Sequence, residues 1–225
     1  MALSIIIPAF NEAENIQQIL KPLQRLRASG VDVIVVDGGS GDQTVLRATP
    51  LVDRLVASTK GRAIQMNAGA ALAQNDVLLF LHADSILPNN ADDLIAKAIA
   101  RGETWGRFDV KIRGAHTMLP VVAWFMNHRS RLTGISTGDQ GLFVTRSAFD
   151  RVGGFPLQPL MEDVEICKRL RKLAPPACLS AQITTSGRRW EKYGVWRTIF
   201  LMWKLRFGYW RGAAPADLHA VYDGK

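Results

Sequence analysis

Short apolar runs alternate with amphipathic stretches through the first hundred residues of the chain. Runs at Leu3 to Ile7, Val31 to Val36, Leu51 to Ala57 and Asp76 to Leu81 are rich in Val, Ile and Leu and are bounded by Gly, Pro, Asn or Asp. That is the pattern of short strands buried on both faces. Between the first two, Asn11 with Glu14 predicts a helix start, an Asn form of the capping box, and Gly30 its end, while Pro22 should kink or split it. Later helices are expected at Asp42 to Thr49, Arg62 to Gln74 and Asn90 to Arg101. Strand and helix in strict alternation predict consecutive βα units, an α/β fold with a mainly parallel central sheet flanked by helices.

The second half is less regular. Strands are expected at Trp105 to Ile112, Gly141 to Thr145 and Ala181 to Thr185, and helices at Leu119 to Arg131 and Met161 to Lys172. Val195 to Trp210 is apolar on most sides yet carries Arg197, Lys204 and Arg206, with Arg211 just beyond. Such a segment fits a core-docked helix or an interfacial one.

Composition narrows the partners. The 225 residues, 48% of them hydrophobic, suffice for one large domain, 1–225. A net charge of +8 favours anionic partners: nucleic acid, nucleotide phosphates or an anionic membrane face. The chain carries no recognisable nucleic-acid-binding motif, so no nucleic acid is expected. Cys167 and Cys178 stand in no metal-binding spacing, which argues against zinc and a disulfide framework and for a reducing cytoplasm. Met1 to Ser4 leads straight into Ile5-Ile6-Ile7 without a basic region before a long apolar stretch, so no signal peptide is expected. No run has the roughly 18 to 20 apolar residues that a spanning helix needs.

The candidate chemistry sits at strand ends. Leu78-Leu79-Phe80-Leu81-His82-Ala83-Asp84-Ser85 carries a buried strand out to an acid at its carboxyl end, where open α/β sheets bind ligands. Pro8-Ala9-Phe10-Asn11-Glu12 and Asp37-Gly38-Gly39-Ser40-Gly41-Asp42 end two other strands, and a parallel sheet would project all three from one edge. Asp37 suits a turn as well as a nucleotide contact. A GxGxxG fingerprint is absent, which weakens a dinucleotide-binding dehydrogenase reading.

In their order, these segments resemble the family-2 glycosyltransferases of the GT-A fold, the Rossmann-like fold of nucleotide-diphospho-sugar transferases. Ser4 to Glu12 is similar to the opening strand and PxxNE turn, and Val35 to Thr44 to the DDGSxDxT segment with Gly38 in place of its second acid. Lys60-Gly61-Arg62 through Asn67-Ala68-Gly69 is similar to the segment before the metal-site strand. Gly138-Asp139-Gln140-Gly141 through Gly153-Gly154-Phe155 is similar to the acceptor-side strand and GGF turn, and Met161 to Glu165 to the ED motif. The nearest subgroup is the small bacterial enzymes with FLHAD-type sites.

The resemblance implies transfer of a sugar from a nucleoside-diphosphate sugar to a hydroxyl or lipid-linked acceptor, metal-assisted and usually inverting. The alternative is a nucleotide-sugar-binding protein of the same fold without turnover. It divides the chain into a nucleotide-sugar half (1–103), an acceptor and catalytic half (104–193) and a helical C-terminal segment (194–225). The donor would lie over Pro8, Asn11, Glu12, Asp37, Ala83 and Asp84, with Lys60, Arg62, Asn67, His82, Arg188 and Arg189 completing its site. Asp84, the retained last acid of the DxD motif, would hold Mn2+ or Mg2+, whose charge stabilises the departing diphosphate. His82 stands where the motif has its first acid and is open to three roles: metal ligand, nucleotide contact or packing. Asp163 matches the base that takes the acceptor proton. Glu162, Asp139 and Gln140 would orient the acceptor side. His116, His128 and His219 are read as structural. A cytoplasmic protein is the expectation, and the basic, aromatic C-terminal segment leaves peripheral contact with the cytoplasmic membrane face open.

Overall fold

In the computed structural model, which describes residues 2–224, β1 (Leu3–Ala9) is followed by α1 (Ile16–Ala28), β2 (Asp32–Asp37), α2 (Thr44–Ala48), β3 (Arg54–Ala57), α3 (Arg62–Leu72) and β4 (Val77–Phe80). Then come β5 (Ser85–Ile86), α4 (Ala91–Ala100), β6 (Trp105–Arg113), α5 (Leu119–Thr133), β7 (Leu142–Thr145) and α6 (Arg146–Arg151). The chain closes with α7 (Glu162–Arg171), β8 (Ala177–Ser186), α8 (Arg188–Tyr193), α9 (Val195–Trp210) and α10 (Pro215–Asp223). The strands form one eight-stranded sheet in the order β3-β2-β1-β4-β7-β6-β8-β5.

The apolar runs are continuous because both sheet faces are covered. Ile5 and Ile7 of β1 pack with Ile16, Leu20 and Leu23 of α1, while Ile6 between them packs with Ala63, Met66 and Ala70 of α3. Every residue of β1 is buried. Polar alternation would strand a side chain in one core or the other.

β1 pairs in parallel with β2 and β4, and β2 with β3, so the chain moves outward from β1 in one direction and returns on its other side. The crevice above β1 and β4 is therefore the switch point of the sheet, where open α/β folds bind ligands. Beyond β4 the sheet becomes mixed: β4–β7, β6–β7 and β5–β8 are antiparallel, and β6–β8 is parallel. Antiparallel pairing of Phe80 with Leu142 has a local consequence. It lays the segment entering β7 against the segment leaving β4, so residues 138–140 meet residues 82–84.

Several boundaries differ from the sequence expectation. α1 starts at Ile16 rather than at an Asn11 cap, because Asn11 is held in a left-handed conformation (φ 53°) and its Oδ1 accepts the Gly41 amide at 2.9 Å. Pro22 does not split the helix, which runs unbroken from Ile16 to Ala28. Leu51 ends a short 3-10 turn, so β3 begins only at Arg54. The Arg188-Arg189-Trp190 segment forms α8, and the helical C-terminal segment divides into α9 and α10.

Gly106 of β6 lies between β7 and β8, and a Cβ there would collide with the Ala177 carbonyl and the Phe143 ring. A backbone carbonyl in a central ladder cannot swing aside. Gly106→Ala is expected to lower stability by about 1–3 kcal/mol or more, read as a lower urea midpoint at unchanged slope.

Candidate active site

Two loops after β1 and β2 are stitched into one platform. Asn11 donates its amide to Ser40 Oγ at 2.8 Å, and Glu12 donates its amide to Thr44 Oγ1 at 2.8 Å. Asp37 is buried and closes its own turn, with Oδ2 accepting the Gly39 and Ser40 amides at 3.0 and 2.9 Å. A carboxylate accepts up to about four hydrogen bonds, so Asp37 retains capacity toward a ligand above it. Gly38, where the family segment has an acid, abuts the buried Gln65 amide, which donates to Ala9 O and Val36 O at 2.8 Å each. A side chain at 38 would press on that amide.

Cations border the platform. Lys60 Nζ sits 4.2 Å from the centre of the Phe10 ring. Arg188 Nη2 pairs with Glu12 Oε1 at 3.1 Å, tying α8 to the end of β1. Arg189 stacks 3.8 Å above the Tyr222 ring of α10. Tyr222 is a neighbour of the site that the sequence did not suggest.

At the end of β4 the site becomes acidic. Donor atoms of His82, Asp84 and Asp139 all lie within 4.8 Å of one another. His82 Nδ1 and Asp139 Oδ1 are 3.1 Å apart. Burial disfavours the imidazolium, but the Asp139 hydrogen bond and charge outweigh it, and the His82 pKa lies above its ordinary value. Burial likewise works against the Asp139 carboxylate, but His82, Arg62 and Arg189 outweigh it and hold its pKa low. Asp84 is the reverse case: burial pushes its pKa up, and the charges of Asp139 and Glu12 add to the push while His82 opposes it. A buried carboxylate facing two like charges is an environment that a cation relieves.

The third strand of chemistry comes from α7. Met161 is left-handed (φ 66°), a strained conformation for a residue with a side chain, and it turns the chain sharply into the first helical turn. There Asp163 Oδ2 accepts the Gly138 amide at 3.0 Å, and its Oδ1 accepts the Val164 amide at 2.7 Å. Glu162 is buried and pairs with Arg62 at 3.2 Å, leaving Oε2 without a hydrogen-bond partner among the described residues. Burial raises the Glu162 pKa against the pull of Arg62. For Arg62, burial is outweighed by Glu162, Asp163 and Asp139, which strengthen its charge.

Some expected site residues lie elsewhere or act through the backbone. Asn67 spends its amide on Phe155, donating to its carbonyl at 2.8 Å and accepting its N–H at 2.9 Å, so it pins the Gly153-Gly154-Phe155 turn rather than facing a donor. Pro8 is buried within β1, and the Ala83 side chain packs in the core. Only their backbones border the edge. Gln140 is fully buried and donates to Ser130 Oγ at 3.0 Å, so it fixes the 138–140 turn instead of meeting an acceptor. The proximity of Asp139 to His82, across 57 positions, has no signal in spacing.

Gly138 is the hinge between the acidic groups. A Cβ there would run into His82 Nε2, while the Gly138 amide serves Asp163. Gly138→Ala is expected to displace His82 and to weaken Mn2+ binding about tenfold or more, with the melting temperature little changed because the clash is with a movable side chain. Titration of Mn2+ followed by its EPR signal checks this.

Comparison with known proteins bears on the family and the fold. A family model described as Glycosyl transferase family 2 matches residues 4–152. An uncharacterized glycosyltransferase of Mycobacterium tuberculosis is 26% identical over 201 residues, covering 82% of this chain and 75% of the relative. TarS 1–349 of S. aureus superposes with a TM-score of 0.67 at 19% identity over 83% of this chain, which spans 61% of the length of that one. Glucosyl-3-phosphoglycerate synthase of Mycobacterium tuberculosis, solved with Mn2+, UDP and glucosyl-3-phosphoglycerate, gives a TM-score of 0.61 at 19% identity, covering 82% of this chain and 70% of that one. At such identities the likeness establishes the fold, an α/β GT-A architecture around a mixed sheet.

Proposed function

The chain belongs to glycosyl transferase family 2, and we propose that it moves a sugar from a nucleoside-diphosphate sugar to a hydroxyl of a soluble or lipid-linked acceptor, with inversion. The observation that carries this reading is the convergence at one sheet edge of His82, Asp84 and Asp139 with Asp163, joined through the Gly138 amide.

A divalent cation fits this edge. Two carboxylates and one imidazole supply oxygen and nitrogen donors suited to Mn2+, and the crowded burial of Asp84 calls for positive charge. The likeness to a synthase solved with Mn2+ and UDP supports the same assignment. Asp84 would be the principal ligand, with His82 and Asp139 beside it. Bound there, Mn2+ or Mg2+ would stabilise the negative charge that builds on the departing diphosphate.

The chain's own groups do the rest. Asp37, Asn11 and Glu12 border the nucleoside, and Lys60, Arg62, Arg188 and Arg189 offer charge to the phosphates. Each Asp163 oxygen already accepts one backbone N–H, and each keeps a second lone pair. Asp163 takes the acceptor hydroxyl proton while the acceptor oxygen forms the new bond to the anomeric carbon. The nucleoside diphosphate leaves from the opposite face with the bonding pair, which inverts that centre. Glu162 and Arg62, paired beside Asp163, hold its helix turn in place. We place this activity in the cytoplasm.

The test is a thermal-shift panel of UDP, GDP, CDP and dTDP sugars with Mn2+ or Mg2+, joined to a donor-hydrolysis assay. At a hundred times the dissociation constant a ligand stabilises by about 2.7 kcal/mol, a shift of several degrees. One nucleoside series should shift the melt only with the ion and release sugar slowly. A shift without release returns the non-catalytic binding protein, and no shift from any donor overturns both readings.

A further inference from the structure

α9 is docked along one side and exposed along the other. Val195, Thr198, Leu201 and Leu205 are buried. On the other side Trp196, Phe200, Trp203, Phe207 and Trp210 stand 56–77% exposed. At about 100° per residue these five fall within about 80° of arc, centred opposite the buried set. A soluble helix normally puts polar groups there.

Charge says what covers this stripe. On the same helical wheel Arg197 and Lys204 fall along one flank of the stripe and Arg206 along the other, with Arg211 at its end. None of the four pairs with an acid within 4.0 Å among the described residues. α9 contains no Asp or Glu. A second copy of the chain laid on this face would set cations against cations. A lipid surface with anionic headgroups satisfies both features, since indole and phenyl rings settle at the headgroup boundary and the flanking cations meet phosphates. α5 extends the same chemistry: it shares a buried cluster with Val195 and exposes Trp124 and Phe125.

We propose that the aromatic stripe of α9, flanked by its unpaired cations, seats the protein on an anionic bilayer surface, in the plane of the interface. Among the described residues no helix is long and apolar enough to cross a membrane, and the stripe needs none. Binding does not depend on sugar transfer, so it is measured without donor or acceptor.

The full chain is sedimented with vesicles of phosphatidylglycerol and phosphatidylcholine in equal parts, and with phosphatidylcholine alone. It should pellet with the anionic vesicles with a blue shift of tryptophan emission, and bind about tenfold or more weakly to the neutral ones and at high salt. The double variant Trp203→Ser, Phe207→Ser changes only exposed side chains, so it should keep the parental melting temperature and lose about tenfold or more in binding. Independently of any variant, brominated lipids should quench the emission of the parent protein. Equal binding by a folded double variant, absence of binding to anionic vesicles, absence of quenching, or a dimer in light scattering that the variant dissolves would each overturn the proposal.

Discussion

Asp163→Asn is expected to lower turnover by about 10²–10⁴-fold, the range general base catalysis supplies, while donor and Mn2+ affinities stay close to those of the parent. The substitution is nearly isosteric, and the Asn carbonyl can still accept the Gly138 amide that Asp163 accepts at 3.0 Å, while the Val164 amide loses the acceptor it has in Oδ1. The 138–140 turn, and with it Asp139 beside His82, should therefore keep its place. Beyond that one helix-turn bond, what is lost is the capacity to accept a proton. Such a loss appears in kcat, with KM held, because the interaction forms only as the acceptor oxygen attacks. Unchanged turnover would sink the assignment of Asp163 as base. A parallel loss of donor affinity would show that the residue supports the site rather than acting on the acceptor.

The half of the site built from consecutive βα units was legible because its signal is local. Each of β1, β2 and β4 is an apolar run with both faces covered, and parallel neighbours deliver their carboxyl ends to one edge. Asp37 and Asp84 could be placed from such runs. Asp139 could not be joined to them, because its position depends on β7 entering the sheet antiparallel to β4, a choice made by packing rather than by periodicity. Asn11 shows the opposite failure. Its spacing to Glu14 satisfies a capping pattern, yet a tertiary bond to the Gly41 amide takes the side chain and delays the helix to Ile16. Asn67 was drawn into the donor site by its neighbours in sequence, while its amide is committed to Phe155.

The departure at His82 gains a physical account from this topology. Where the family motif has two acids on one strand end, this chain has His82 and Asp84 there and Asp139 brought alongside from the other half. The cluster again contains two carboxylates, now with an imidazole that bonds Asp139 and whose neighbour at 138 must be glycine to leave it room. Substituting Asp for His82 would restore the motif and place a third carboxylate in the cluster. The like-charge cost already visible at Asp84 would then grow.

That cost gives Asp84→Asn two effects of opposite sign. Burial first, then the charges of Asp139 and Glu12, raise the Asp84 pKa in the folded protein against the opposing pull of His82. A carboxylate whose folded pKa exceeds its unfolded value destabilises the fold at neutral pH, where both states are ionised, and that penalty fades as pH falls through the folded pKa. Removing the charge should therefore raise the melting temperature of the metal-free protein at neutral pH. The same change removes a hard oxygen ligand, so Mn2+ should no longer stabilise the variant and metal-dependent turnover should fall by about 10²-fold or more. Melts with and without Mn2+ read both effects in one experiment. A variant that melts lower than the parent without metal would refute the charge argument, and one that keeps its Mn2+ shift would refute Asp84 as the ligand. The combination expected here, a more stable protein that has lost its ion, is what separates a carboxylate held for a metal from one held for the fold.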